Sequence, residues 1–198
     1  MYTVIGDLKS RAFRVAWMLE ELGVPYTHQA AAPGSEAARA VNPSGKVPVL
    51  MVDDAALTDS TAILTYLADR HGALAHPAGT LERARQDAMT FRILDEIETP
   101  LWTAAKHSFV LPEAQRVPAV KDSLKWEYAR ALARLMDDLS GDYLAGGAPT
   151  VPDLLLAHCG GWAKAAGFPA DEPRFAAYLR RMRARPAFRA VAGQLQDG

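Results

Sequence analysis

The sequence has 198 residues, and 49% of them are hydrophobic, which is enough to bury a sizeable core. Its 22 basic and 23 acidic side chains leave a net charge of −1, which excludes a general attraction for nucleic acid or for an anionic membrane. A single cysteine, Cys159, excludes an intramolecular disulfide framework and a thiolate zinc cluster. No apolar run resembles a signal peptide or a membrane span, so we expect a cytoplasmic protein.

The N-terminal part of the chain alternates strand and helix patterns. A strand over Tyr2–Ile5 precedes a helix that Ser10 can cap and that Gly23 ends. The elements that follow are an extended segment from Val24, one or two helical turns over 35–40, strands over 47–52 and 56–57, and a helix that ends at Gly72. The resulting order, β-α-β-α-β-β-α, is too short for a dinucleotide-binding domain.

The rest of the chain is helical by pattern. A linker over residues 73–79 leads to a long helix from Leu81 to about His107, with a kink expected at Pro100. Further helical patterns follow over residues 124–139, from about 152 to 161 or beyond, over 174–183 and after 186. The sequence therefore predicts an α/β domain followed by an all-α bundle.

A proline and a polar pair organise the first domain. Pro48 lies among the strand formers Val47 and Val49, which restricts it to a sheet edge, a strand start or a bulge. Asp59 or Ser60 caps the next helix, where free N–H groups lie beside a carboxylate. Such a place can hold a small zwitterion, with N–H groups and a hydroxyl for its carboxylate and Asp59 for its ammonium. The alternative is a plain helix cap, worth about 1 kcal/mol.

Five stretches carry a family resemblance through their order and spacing. They are Ser10–Val15 with Glu20–Tyr26, Lys46–Leu50, Asp59–Ile63, Thr150–Asp153 and Arg185–Phe188. Together they resemble the soluble glutathione S-transferases, and the resemblance covers nearly the whole chain. It implies a thioredoxin-like domain with a mixed four-stranded sheet over residues 1–73, an all-helical domain over 80–198, and a homodimer.

The resemblance also assigns a glutathione-binding site. Pro48 matches the family's cis-proline, and a cis bond there would turn the Val47 N–H and C=O outward to pair with the cysteinyl backbone of glutathione. Asp59 and Ser60 match the pair that holds the γ-glutamyl end, although Glu is commoner at position 59. Lys46 is placed to meet a glutathione carboxylate, with a solvated lysine as the alternative.

The catalytic position is inferred by the same comparison. Related enzymes activate the thiol with Tyr, Ser or Cys near the start of the first helix. Neither Tyr nor Cys occurs between Gly6 and Arg14, so Ser10 is the candidate. It falls within one residue of the family's usual serine position, so Lys9 could occupy that position instead, and Ser10 could be only a helix cap.

The implied function is a detoxifying glutathione S-transferase, which uses glutathione as co-substrate and adds its thiol to small hydrophobic electrophiles. The electrophile pocket would be lined by Phe13, Leu101, Trp102 and His107, which could equally be ordinary core or surface residues. The histidines lack metal-ligand spacing, so no metal is expected. Alternatives on the same fold are a glutathione-dependent isomerase, dehalogenase or peroxidase, and a non-catalytic interaction module.

Overall fold

The structure is a computed structural model that describes residues 1–195. Residues 196–198, the end of the predicted helical domain, lie outside the described part. In chain order the elements are β1 (Tyr2–Ile5), α1 (Ala12–Leu22), β2 (Tyr26–Gln29), α2 (Glu36–Val41), β3 (Val49–Val52), β4 (Ala55–Thr58), α3 (Ser60–His71), α4 (Leu81–Arg92), a π-helical segment (Ile93–Glu98), α5 (Thr99–Ala105), a second π-helical segment (Lys106–Val110), a 3₁₀ turn (Glu113–Gln115), α6 (Val120–Asp138), α7 (Val151–Ala165), α8 (Pro173–Ala184) and α9 (Pro186–Gln194).

The chain divides into two compact units. Within the described residues, the first contains 1–78 and 183–195, and the second contains Gly79–Met182. The predicted limits, 1–73 and 80–198, differ from this division mainly in the place of the last helix. Helix α9 packs on α1 through Phe188, whose ring centroid lies 5.0 Å from that of Trp17.

A four-stranded mixed sheet forms the centre of the first unit, in the order β2-β1-β3-β4. Strand β1 pairs in parallel with β2 and antiparallel with β3, and β3 pairs antiparallel with β4. Together with the helical second unit, this confirms the predicted fold class. Strand β3 begins at Val49 rather than at the predicted residue 47, directly after the proline that cannot donate a ladder hydrogen bond.

Helix α1 lies in the core of the first unit, and every residue from Ala12 to Leu19 is buried. It ends where predicted, because Gly23 adopts a left-handed φ of 64° and its N–H returns to the last turn. It begins at Ala12, one residue later than a helix capped by Ser10 would begin. Ser10 and Arg11 form a turn that leads into the helix, and Arg11 is the flanking residue.

The predicted long helix of the second unit is continuous but not uniformly α-helical. Helix α4 passes through the π-helical segment Ile93–Glu98 into α5, where Pro100 stands in the first turn. A proline inside a regular α-helix loses one hydrogen bond and meets the carbonyl four residues earlier. The wider π-helical turn lies directly before the point at which a kink was predicted.

Helix α7 carries the buried cap of the second unit. Asp153 is fully buried, and its carboxylate accepts hydrogen bonds from the Thr150 N–H at 2.8 Å, the Thr150 hydroxyl at 3.0 Å, the Leu144 N–H at 3.0 Å and the Tyr178 hydroxyl at 2.9 Å. Burial raises the pKa of Asp153, and these hydrogen bonds oppose the rise. The cap predicted at Thr150–Asp153 is therefore present and buried.

Candidate functional site

The segment before β3 presents unpaired backbone. The Val47–Pro48 peptide bond is cis. Pairing of β3 with β1 begins at Val49, opposite Ile5. Within residues 1–195 the backbone N–H and C=O of Val47 form no hydrogen bond. Both groups are therefore available to pair with another extended chain beside the end of the sheet.

Gly6 allows this segment to approach the start of α1. Its φ is 148°, and a Cβ built there would lie 2.9 Å from the Ala12 Cβ and 3.1 Å from the Val47 Cβ. Both distances are shorter than ordinary contacts, so a side chain at position 6 would push the two segments apart. The sequence indicated only that Gly6 ends a strand; a glycine between a strand and a helix was the available signal.

Asp59 caps α3 and retains one free oxygen. It has φ 67° and ψ 119°, a backbone conformation that costs a non-glycine residue about 1–3 kcal/mol and that tends to occur at functional sites. Its Oδ1 accepts from the N–H groups of Thr61 at 2.9 Å and Ala62 at 3.1 Å. In the described part of the chain, Oδ2 has no hydrogen-bond partner, and the residue is exposed. The carboxylate can therefore cap the helix and still accept from a ligand.

Ser60 is the first residue of α3 and has two donors without an acceptor. Its backbone N–H has no partner among residues 1–195, as is usual in the first turn of a helix. Its Oγ accepts from Arg14 Nη1 at 3.3 Å, and Arg14 itself is completely buried in α1. Sequence reasoning did not single out Arg14. The signal was a charge four residues before Met18, on the predicted apolar face of the helix.

Ser10 lies in the turn before α1. Its hydroxyl donates to the Asp7 carbonyl at 2.6 Å and accepts from the Ala12 N–H at 3.2 Å. Lys9, the alternative catalytic position, is exposed, and its N–H donates to Asp7 Oδ1 at 2.8 Å. The hydroxyl of Ser10 therefore acts as a local cap in this structure, and its role toward a thiol remains a prediction.

Known proteins resemble this chain in sequence and in fold. A model described as the N-terminal domain of glutathione S-transferase matches residues 10–77. A maleylacetoacetate isomerase from Rhizobium meliloti is 31% identical over 121 residues, and a glutathione S-transferase from Pseudomonas putida is 29% identical over 179 residues. The crystal structure of a glutathione transferase from Methylococcus capsulatus is 28% identical, covers 96% of this chain and 97% of its own, and has a TM-score of 0.81.

The chain is therefore similar to glutathione S-transferases over most of its length, and its residues 10–77 match that family's N-terminal domain. The resemblance inferred from the sequence is thereby confirmed. The match covers 58% of this chain and 56% of the isomerase, so the chain spans little more than half the length of that relative. For the Pseudomonas putida transferase, the match covers 85% of this chain and 80% of the relative.

The remaining predicted site residue in the first unit is Lys46. It is exposed, and its backbone C=O accepts from the Asn42 side-chain amide at 2.9 Å. This bond fixes the backbone directly before Val47, while the ammonium group is carried outward on a flexible chain. A contact with a glutathione carboxylate and full solvation both fit this placement.

The predicted pocket residues are distributed over the two units. Phe13 is 7% exposed and packs in the first unit against Phe188, at 5.1 Å between ring centroids. Leu101 is only 1% exposed in the second unit, where the ring of Trp102 lies 6.5 Å from that of Trp162. Half-buried His107 accepts from the Val117 N–H through Nδ1 at 3.0 Å, which assigns its own hydrogen to Nε2 in the neutral ring. Their common pocket stays a prediction.

Residues 1–195 contain no group of three His, Cys, Asp or Glu side chains arranged to hold a metal ion. No helix in the same range is both long and apolar enough to cross a membrane.

Proposed function

We propose that the protein binds glutathione in its first unit and transfers the thiol to small hydrophobic electrophiles. The observation that carries the proposal is that neighbouring polar groups at the start of α3 retain donors and an acceptor that have no hydrogen-bond partner within residues 1–195. Ser60 offers two donors, and Asp59 offers one carboxylate oxygen. The γ-glutamyl end of glutathione carries one carboxylate and one ammonium group, which match donors and acceptor respectively. The open backbone of Val47 suits the peptide part of the same ligand.

The chemistry requires a thiolate held beside an electrophile. A free thiol with a pKa of about 8.5 is about 3% ionised at pH 7, and a pKa lower by about two units gives about 75%. Because nucleophilicity falls with the thiol pKa, the net gain in rate is only about threefold. The sulfur then forms a bond to carbon as the leaving group departs with its electron pair. Most of the rate enhancement must come from positioning the electrophile.

A glutathione-dependent isomerase is the second candidate, because one relative is a maleylacetoacetate isomerase. In that reaction the thiolate would add to a conjugated double bond and leave again after rotation, so glutathione would be regenerated. The two activities differ in stoichiometry. A transferase consumes one glutathione for each product, whereas an isomerase consumes none, and mass spectrometry of a mixture with each substrate class distinguishes them.

The proposal includes a homodimer, a cytoplasmic location and a role in detoxification. What supports a dimer is a set of large apolar side chains exposed in the second unit: Leu81, Phe91 and Trp126 are 71%, 67% and 59% exposed. Burying such side chains against a partner removes apolar surface from water, which favours association. Sedimentation at micromolar concentration tests the dimer, and a single monomer-sized species contradicts it.

Asp59→Asn tests glutathione binding most directly. Asparagine retains an oxygen that can cap α3, but it loses the charge offered to the ligand ammonium. We expect calorimetry to show glutathione affinity reduced by about tenfold or more, with an unchanged melting temperature. Asp59→Ala should weaken binding similarly and should also lower stability by about 1 kcal/mol, because it removes the cap as well.

The matched control for Asp59 is a ligand rather than a residue. Glutaryl-cysteinyl-glycine is glutathione without its amino group, so its affinity should be the same for the wild type and Asp59→Asn. Equal losses for both ligands would contradict the role of Asp59. A wild type that binds no glutathione would contradict the proposed function and would favour the interaction-module alternative.

Ser10→Ala tests thiol activation. To donate to the sulfur, the Ser10 hydroxyl must leave the Asp7 carbonyl, so a bond to a charged acceptor worth about 1.5–3 kcal/mol replaces one worth about 0.5–1.5. We therefore expect Ser10→Ala to raise the pKa of the bound thiol by about one unit. Turnover should fall about threefold near pH 6 and rise about threefold at a pH well above both thiol pKa values, because the more basic thiolate is the better nucleophile.

The measurement for Ser10 is an ultraviolet titration of the thiolate in the binary complex together with a pH–rate profile. Ser10→Thr, which retains a hydroxyl, is the control and should behave like the wild type. If the titration and the profile of Ser10→Ala both match those of the wild type, Ser10 is only a cap. The activating donor would then have to be another group near the start of α1.

A further inference from the structure

Arg14 and Ser60 join the two helices that border the candidate site. Arg14 lies in α1 and has no exposed surface, and its Nη1 reaches Ser60 Oγ on α3 at 3.3 Å. Ser60 is itself only 3% exposed. A charged side chain is rarely buried to this degree unless it is engaged in specific hydrogen bonds. One of those bonds is therefore directed at a residue of the proposed binding site.

The contact determines that the Ser60 hydroxyl is the acceptor, and not the donor, in its hydrogen bond with Arg14. A guanidinium group carries five N–H donors and no acceptor. Ser60 Oγ must therefore accept from Arg14, and its own hydrogen has to point elsewhere. Among residues 1–195 that hydrogen finds no acceptor, and neither does the Ser60 backbone N–H. Ser60 thus keeps two donors for a ligand, and no acceptor in the described chain competes for either of them.

We propose that Arg14 is a positioning residue that holds the Ser60 hydroxyl in the role of donor to the ligand carboxylate. The inference rests on the proposed function, because the carboxylate is that of the γ-glutamyl group of glutathione. Without Arg14 the hydroxyl can rotate and donate to nearby backbone carbonyls, as serine near a helix start commonly does. A hydrogen bond from Arg14 also polarises the hydroxyl and strengthens the bond that it donates.

A double-mutant cycle separates positioning from general structural support. We expect Ser60→Ala to weaken glutathione binding by about ten- to a hundredfold, the value of a hydrogen bond to a charged group. Arg14→Met, which keeps the length and apolar stem of the side chain, should weaken it by about three- to tenfold. In the Ser60→Ala background, Arg14→Met should have no further effect on affinity. An undiminished effect in that background would overturn the inference.

The ligand provides the second arm of the test. 4-Aminobutanoyl-cysteinyl-glycine is glutathione without the γ-glutamyl carboxylate. Arg14→Met should leave its affinity unchanged. Arg83→Met, which removes an arginine that is 8% exposed in the second unit, should leave the affinity for both ligands unchanged. Equal losses of the two ligands in Arg14→Met would show a structural role only and would overturn the inference.

The outcomes distinguish this inference from the proposed function. A wild type that binds no glutathione contradicts both, whereas a wild type that binds it and an Arg14→Met variant of equal affinity contradict the inference alone. If Arg14→Met does not fold, Arg14→Lys replaces it, because the lysine keeps the buried charge. The ammonium group of the lysine lies on a shorter side chain, so Arg14→Lys should still bind glutathione more weakly than the wild type does. Its affinity for the ligand without the carboxylate should not change. Wild-type affinity for glutathione in Arg14→Lys would overturn the inference.

Discussion

Replacing Asp153 with alanine should lower the free energy of unfolding by about 3–5 kcal/mol, because Thr150 and Leu144 lose the fully buried carboxylate as their acceptor and the Tyr178 hydroxyl keeps only the backbone carbonyl of residue 153. The carboxylate accepts from Thr150, Leu144 and Tyr178, all at 2.8–3.0 Å. Each buried donor left without a partner costs about 1–3 kcal/mol. Urea denaturation at constant m-value is the measurement.

A graded series makes this prediction specific. Tyr178→Phe removes one of the four hydrogen bonds to the carboxylate and should cost about 1 kcal/mol. Asp153→Asn should cost nearly as much as Asp153→Ala, because its amide group would face the Leu144 or Thr150 N–H, donor against donor. Asp142→Ala, at an exposed position nearby in the chain, should change stability by less than about 0.5 kcal/mol. A loss below about 1 kcal/mol for Asp153→Ala would contradict the role of the buried cap.

Local signals predicted the order of elements well. Gly23 and Gly72 end α1 and α3 with the same left-handed φ of 64°, and only glycine adopts that conformation without a steric cost. The Asp53-Asp54 pair forms the turn between β3 and β4, with Asp53 at φ 52°. Each of these features depends on residues that are close in sequence. They could therefore be found from the sequence without knowledge of the fold.

The parts of the candidate site that were missed depend on contacts between distant segments. Gly6 is needed because Val47 approaches it, and Arg14 acquires a role because Ser60 lies beside it. Helical periodicity indicates which residues share a face but not which partner that face will meet. The start of α1 was misplaced for a different, local reason. Ser10 bonds back to Asp7, which makes a separate turn before the helix.

The electrophile pocket is the part that sequence reasoning could least specify. Phe13 and Leu101 are apolar residues with little exposure within their own units, and the same pattern describes core residues and pocket walls. Apolar contacts of this kind change substrate preference by only about 1–3 kcal/mol for each methylene group. The polar end of a ligand leaves a stronger signal, because its partners must be donors and acceptors in defined places.

The second large effect should come from Arg185, which joins the start of the C-terminal helix to α1. Its Nε and Nη2 donate to the two oxygens of Glu21 at 2.6 and 2.7 Å, and Trp17 Nε1 donates to the same carboxylate at 2.9 Å. The Glu21 side chain is only 7% exposed. We expect Arg185→Met to cost about 3 kcal/mol, because it leaves a nearly buried carboxylate without its cation.

A rescue experiment and a control complete this prediction. Glu21→Gln in the Arg185→Met background should recover more than half of the lost stability, because a neutral amide still accepts from Trp17 and needs no counter-charge. Arg189→Met, at an exposed position of the same helix, should change stability by less than about 0.5 kcal/mol.

Since α1 carries Arg14 and follows Ser10, Arg185→Met should also weaken glutathione binding, and Glu21→Gln should restore it. If the double variant is no more stable than Arg185→Met alone, the ion pair does not determine how α9 holds α1, and the aromatic contacts of Phe188 with Phe13 and Trp17 must do so.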